Sequence, residues 1–482
     1  MLLVLLLAVP AAADRVPAVP IPQGPPGTAP AFLGAPAVPT PVRSFGVPRH
    51  PFMAPNGRSN IHDDAYMTDT YRVSGPLGRD MDVLSTYQQA ECASVTFDSQ
   101  GRIVTICVGV EGPRLLMIDP ETLDQLAVNP LPPRQSGSTA IFTEFSGGGY
   151  FYLDDRDRVV IPTNDRRIFV IRETNEPGFE TEERFDLSGV VERGDGIVSA
   201  LPDWDGLIWW VSARGLVGTV DPETGAVASI HLKGEVIANS FAVDETGGVY
   251  VVSDHALYRL DARRNGKPGV TWRTAYDRGS RQKPGQVSQG SGTTPTLLGK
   301  RYVAITDNAD PRMHVVVYAR GKDQDGRPAC LKPVFAPDQG STDNSLIGAG
   351  RSLIVENNYG YAGPASTSNG ATTIAGLARV DIDRDGRGCR LVWESEEHAP
   401  SVVPKLSLRN GLVYTYTKDA NADGDDFWYF TAIDFATGDT VFERLAGKGL
   451  GFNNNYAPIT LGPDGAAYVG VLGGLVRLRD TT

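Results

Sequence analysis

The sequence has no apolar run long enough to cross a bilayer as a helix, which takes about 20 residues, and long helical patterns of apolar residues are hard to find. Cysteine, methionine and histidine are scarce, at four, six and six in 482 residues. Neither C-x-x-C nor C-x-x-C-H occurs, which leaves no dithiol redox pair and no haem attachment motif. H-E-x-x-H, G-x-S-x-G, Walker and Rossmann glycine patterns are also absent, so no familiar catalytic constellation stands out. Positive charge is in deficit: 45 Lys and Arg against 57 Asp and Glu give a formal charge of −12. That balance argues against a nucleic-acid backbone or an anionic membrane surface as the main partner.

What is present is glycine (54 residues), proline (35) and 41% apolar residues, enough for a real core built from strands and turns. The N-terminus "MLLVLLLAVPAAAD" has an apolar run and then Ala11-Ala12-Ala13 before Asp14, the pattern of a secretory signal over residues 1–13 without its charged leading region. No Cys follows, so no lipid anchor is expected. Export to the periplasm, the outer cell envelope or the medium is the expectation. Residues 14–58 are rich in Pro, Ala and Gly and are expected to form an extended, semi-rigid spacer, a linker or stalk.

In an exported chain the four cysteines suggest up to two disulfides. Cys92 and Cys107 stand nearly equidistant from the turn at Ser99-Gln100-Gly101 and should face each other across one hairpin; Cys330 and Cys389 then pair or stay free.

One signature recurs along the chain: a short apolar strand ending on a charged residue, then a polar turn. It appears as "LLMID" (115–119), "IFVIR" (168–172), "LVGTVD" (216–221), "ALYRLD" (256–261), "VVVYAR" (315–320), "LARVDID" (377–383), "FTAID" (430–434) and "LVRLRD" (475–480). Each is preceded by two further strand patterns, and most are followed by a fourth, through turns such as "DPETG" in which Asp accepts backbone bonds and Gly takes positive φ. Four strands per unit, repeated at this period, predicts an all-β fold: an eight-bladed β-propeller of four-stranded antiparallel blades over 91–482. The last unit has only three strands. An N-terminal strand within 59–90, with "MDVLSTYQ" (81–88) as the candidate, is expected to complete it and close the ring, since an open ring would leave an unpaired edge.

In such a ring the loops entering each innermost strand, and those between second and third strands, share one face. These loops carry Asn344, Asn357, Asn358, Lys405, Asn453, Asn454, Asn455 and His314, the candidate ligand-binding residues for a small molecule, glycan or partner. Two segments match the start of a calcium loop, Asp381-x-Asp383-x-Asp385-Gly386 and Asp419-x-Asn421-x-Asp423-Gly424, but Val392 and Phe430 stand where the closing bidentate Glu belongs. The second lies on the mouth side and is the calcium candidate of the two. Trp204, Trp209 and Trp210 are expected to pack between blades. A monomer is expected.

"VYVVSDHALYRLDA", "YVGVLGGLVRLRD" and "AIDFATGDTVFE" resemble the blade repeats of the quinoprotein (PQQ-type) propellers. That resemblance implies a cofactor with calcium over the channel, although the vicinal cysteine pair such enzymes often carry is absent. "ANSFAVDETGGVYV" is similar to a stretch of the gluconolactonase and strictosidine-synthase-like propellers, which implies Asn239 as a channel calcium ligand, with Glu91, Asn344 and Asn454 as its partners. A metal so held would act as a Lewis acid on a carbonyl. A binding module, a PQQ-dependent oxidoreductase and a calcium-dependent lactonase or hydrolase are therefore the competing functions, in that order.

Overall fold

A computed structural model describes residues 15–133 and 147–482. The expected signal segment, 1–13, lies outside the described residues. Eight antiparallel sheets follow one another along the chain and around a ring. All eight recurring signatures fall on third strands. Blade 1, for example, runs Ala90–Phe97, Ile103–Gly109, Gly112–Ile118 and Gln125–Pro130 from the axis outward.

The last blade runs Ile459–Leu461, Ala467–Val471 and Gly474–Arg479, and its outermost strand is Asp82–Tyr87 from the other end of the chain. The pairing is antiparallel and unbroken, from Asp82 opposite Arg479 to Tyr87 opposite Gly474. The ring is closed as the missing fourth strand requires, and the edge left by the tail is covered.

Aspartates repeat the same local work in blade after blade. After the innermost strand, Asp98, Asp154, Asp203 and Asp244 each accept backbone N–H bonds from residues two and four positions on. After the third strand, Asp119, Asp221 and Asp434 accept from residues two and three positions on. Between the blades lie large side chains without exposure, among them Trp209, Trp210, Tyr250, Tyr414, Tyr416 and Tyr468. Trp209 and Trp210 pack as expected. Trp204 does not: it is partly buried against the ring of His50, with centroids 4.0 Å apart.

Both cysteine pairs are bonded. Cys92–Cys107 joins adjacent strands of blade 1, and Cys330–Cys389 rivets the outer strand of blade 5 (Pro328–Pro333) to that of blade 6 (Cys389–Ser395).

The Pro-rich segment is extended, as its composition implies, but it is not a free spacer. Val16 bridges to Gln125, and Phe32–Gly34 adds a strand outside Thr440–Lys448 of blade 7. Ala37, Thr40 and Val42 then donate their N–H groups to Leu77, Asn410 and Leu408, Ser44 accepts from Gly350 N, and Ala54 donates to Leu153 of blade 2. Proline is compatible with this path because it brings no N–H and favours extended backbone. The N-terminal segment thus belts the ring and straps the face opposite the mouth.

Candidate functional site

After the strap the chain enters the ring itself. Arg58 O accepts the Thr96 hydroxyl of blade 1, and Ser59 O accepts Leu153 N of blade 2. Ala65, Tyr66, Thr68 and Asp69 carbonyls then accept the N–H groups of Val243, Leu297, Gly348 and Leu406, on the innermost strands of blades 4, 5, 6 and 7. Thr70–Tyr71 finally pairs in parallel with Lys405–Ser407. The segment visits the blades in ring order and plugs the central channel.

Its tight winding is set by local residues. Asp63, Met67 and Asp69 take positive φ (80°, 56° and 54°), a region costly for side-chain-bearing residues. Asp64 holds the turn by accepting Tyr66 N at 2.9 Å and the Thr68 hydroxyl at 2.6 Å. Burial pushes the Asp64 carboxyl up to about 7, and burial next to Asp64 pushes Asp63 well above its ordinary range.

The plug is anchored by one fully buried ion pair, Lys405 with Asp69, neither side chain exposed; the same ammonium donates to Ile61 O at 2.6 Å. Burial alone would raise the Asp69 carboxyl, but Lys405 and His62 together hold it below its ordinary value. Asp69 also accepts from Ser345 and from His62 Nδ1, the latter at 3.1 Å. An ionised carboxylate at Nδ1 fixes the proton there and leaves Nε2 with its lone pair. Burial pushes the His62 imidazolium down, which keeps the ring neutral, and Nε2 is buried with no hydrogen-bond partner.

Above the plug, on the axis, is a cavity of about 50 Å³. His62 lies on its floor, and seven of the eight blades supply the walls through residues at or just before their innermost strands: Glu91 and Ser94, Tyr150, Asn239, Thr294, Asp343 to Ser345, Val403, and Asn455 to Pro458. His62 also borders a second space of about 10 Å³, where Ser199 of blade 3 appears. The long mouth loops close over the top. Tyr456, at positive φ beside a positive-φ Asn455, donates its hydroxyl to Gly285 O and Tyr361 O, each at 3.2 Å.

Asp343 lines the cavity and Glu356 bonds the lining residue Asn344; among the described residues neither buried acid has a basic neighbour bonded to it. Asp343 accepts Val287 N through one oxygen, while Oδ1 has no partner; burial pushes this carboxyl up to about 8. Oδ1 occupies room that a Cβ on Gly292 would fill. Glu356 accepts the amides of Asn344 and Asn358 and is pushed well above its ordinary value by burial.

The candidate residues named from sequence sort into two groups. Glu91, Asn239, Asn344 and Asn455 line the cavity. The rest lie elsewhere and brace the loops. Asn357 accepts Ser341 N and donates to Gln339 O, Asn358 bonds Thr342, Asp343 and Glu356, and Asn453 bonds Tyr361 and Thr367. Asn454 donates to Gly470 O, Lys405 holds the plug, and His314 pairs with Asp307 at 2.8 Å. Within the lining group, Asn239 is already used at both ends, accepting the Tyr150 hydroxyl at 2.7 Å and donating to Gly292 O. Asn344 spends its amide nitrogen on Glu356 and Val402 O. Among the described residues no three His, Cys, Asp or Glu side chains stand close enough to hold one metal ion.

Sequence reasoning missed the roles of His62, Asp69, Ser345 and Tyr150. The available signal was "SNIHDDAYMTDTY" (59–71), a dense run of acids, a His and aromatics that belongs to no blade.

No protein-family model matches the sequence. An uncharacterised protein of Archaeoglobus fulgidus is 30% identical over 335 residues, which cover 61% of this chain and 64% of that protein. The match thus spans less than two thirds of that relative's length. Among solved structures, a streptogramin B lyase has a TM-score of 0.42 at 9% identity, covering 83% of this chain and 97% of that one. U3-55K has a TM-score of 0.41 at 10% identity, covering 77% and 100%. Neither bears on what this chain binds. No helix among the described residues is long and apolar enough to cross a membrane.

Proposed function

We propose that this is an exported β-propeller that binds a small polar ligand in the cavity on the ring axis. The observation that carries the proposal is convergence: six blades and the plug present polar side chains to one enclosed space, a seventh adds Val403, and the opposite end of the channel is filled by residues 59–71. A ligand therefore enters from the mouth. Two disulfides support an oxidising location outside the cytoplasm. A volume of about 50 Å³ favours a ligand of few heavy atoms over a tricyclic quinone.

A second reading, metal-assisted hydrolysis or lactone chemistry, is favoured by Glu91, Asn239 and Asn344 sharing this cavity. A metal there would polarise a carbonyl oxygen, with Glu91 as the charged ligand and the two amides contributing carbonyl oxygens once Asn239 gives up its bond from Tyr150.

Thermal melting of the purified protein against a panel of small polar molecules and ions tests the binding proposal. Saturable stabilisation that disappears in Asn344→Ala, with the fold intact by circular dichroism, is expected. Ligands that stabilise both proteins equally would place the site elsewhere. Turnover of a lactone, lost on chelation, would move the conclusion to the second reading.

A further inference from the structure

We infer that the axial cavity selects a compact ligand that donates an O–H or N–H group, and that His62 Nε2 is the acceptor that does the selecting. The inference rests on the binding role proposed above and adds the residue and the kind of ligand. Its first ground is that the protein fixes which ring nitrogen carries the proton. Nδ1 of His62 lies 3.1 Å from Asp69 Oδ1 and 3.1 Å from Ser345 Oγ. Against burial, Lys405 and His62 hold the Asp69 carboxyl below its ordinary value, so it can only accept, and Ser345 spends its own proton on Asp69. Both neighbours therefore receive the Nδ1–H, and Nε2 keeps a lone pair.

The second ground is where that lone pair sits. His62 is 3% exposed, its ring lines the cavity, and Nε2 is buried without a hydrogen-bond partner among the described residues. The ring is held in place: its edge is tied to Asp69 and Ser345, and its face stacks on Tyr150 with centroids 6.1 Å apart and planes 21° from parallel. Nearby hydroxyls of the lining are spent on other acceptors. Tyr150 gives its proton to Asn239, Ser94 to Gly149 O and Ser345 to Asp69. A buried acceptor left unpaired costs free energy, so a ligand that brings a donor gains more here than one that does not. A site built to hydrogen-bond its ligand rejects the same shape without the bonding group. Burial pushes the imidazolium down, so the ring does not take up a second proton and turn Nε2 into a donor.

The chemistry is shared by a hydroxyl and by an amide N–H, and neutral molecules of matched size separate them: isopropanol, acetamide and acetone. Isothermal titration and melting are measured on the wild type, His62→Phe and, as a control outside the cavity, His314→Phe. Isopropanol or acetamide is expected to bind the wild type saturably. Acetone, which presents the same shape with no donor, is expected to bind about tenfold more weakly or worse. His62→Phe should level that difference and His314→Phe should keep it. Binding of isopropanol alone identifies a hydroxyl site, of acetamide alone an amide site, and of both a site that reads only the donated hydrogen. Imidazole 15N chemical shifts on the wild type keep the test independent of whether His62→Phe folds. His62 is expected to show Nδ1 protonated and Nε2 bare, with Nε2 moving when a donor binds and Nδ1 staying fixed.

A protonated Nε2 in the free protein, or acetone binding as tightly as isopropanol and acetamide, would overturn the inference. So would a bare Nε2 whose resonance responds to none of the probes, with a water in the smaller neighbouring space then satisfying His62. Binding that is lost in Asn344→Ala but leaves the Nε2 resonance in place would sink the selecting role of His62 and leave the binding role standing.

Discussion

The blades and the segment threaded through them are built on opposite principles. A blade is local: four consecutive strands, hairpin turns capped by an aspartate a few residues away, and apolar faces pressed against neighbours. Residues 15–80 form no blade of their own, and their internal bonds lie in the local turns around 55–69. They bond one backbone group at a time to blade after blade and are fixed at the axis by a single buried ion pair. Redundancy protects the first arrangement, whereas the second depends on a few irreplaceable contacts. The contrast teaches where function sits, because the one non-repeating element is also the one that carries His62 and Asp69 to the site.

The largest effect is expected from removing the thread. A chain starting at residue 81 keeps all eight blades and the closing strand but loses the plug and the strap. It is expected to aggregate or to give expanded species in size-exclusion chromatography. A compact, monomeric, cooperatively melting product would show that the ring needs no filling.

Next comes the anchor. Lys405→Met leaves Asp69 buried without its counter-charge and is expected to cost about 3–5 kcal/mol in urea unfolding. Arg172→Ala removes ion pairs to Glu180 and Glu182 on the rim, where the Arg side chain is 44% exposed, and should cost about 1 kcal/mol or less. Equal costs would erase the distinction between thread and blades.

The two disulfides sharpen the same comparison within the ring. Cys330–Cys389 closes a separation of 59 residues and Cys92–Cys107 one of 15. By loop entropy, the paired Cys→Ser change should cost about 4 kcal/mol for the first and about 3 for the second. The inter-blade rivet should therefore matter more than the bond inside one hairpin.

The last effect, read against pH, concerns Asp343. Its carboxyl is pushed up to about 8 in the folded state from an ordinary 3.8, so the folded protein holds the proton more tightly than the unfolded chain. Between about pH 4 and 8 the unfolded chain has released that proton and the folded one has not, and stability falls as pH rises. The limiting slope is about 1.4 kcal/mol per pH unit for one proton. Asp343→Asn should flatten the melting temperature over this window. Tyr150 and Tyr456, the phenols electrostatically linked to Asp343, stay neutral there, and burial pushes the Glu356 carboxyl well above its ordinary value.

The fold was legible because repeats advertise themselves. Eight apolar strands ending on charge, turns of the "DPETG" kind and a last unit one strand short led to the ring and to the donor Asp82–Tyr87. The site was legible only in part. Loop position pointed to Asn239, Asn344 and Asn455, and the resemblance to gluconolactonase-like propellers added Glu91, but loop position could not separate amides that face the cavity from amides such as Asn357 and Asn453 that tie one loop to the next. Both kinds share the same composition and the same turns. The thread was misread because Pro, Ala and Gly report extended backbone and say nothing of what it lies against. His62 meets Asp69 seven residues on, yet Ser345 and Lys405 reach that carboxylate from blades far along the chain.

Hydrogen exchange at the innermost strands tests the central claim, that residues 59–71 plug the channel beneath the cavity. Val243, Leu297, Gly348 and Leu406 donate their N–H groups to this segment. Their amides are predicted to be protected as strongly as the second strands of the same blades. Exchange at the rate of the exposed turns would mean an open channel, and the floor of the proposed site would go with it.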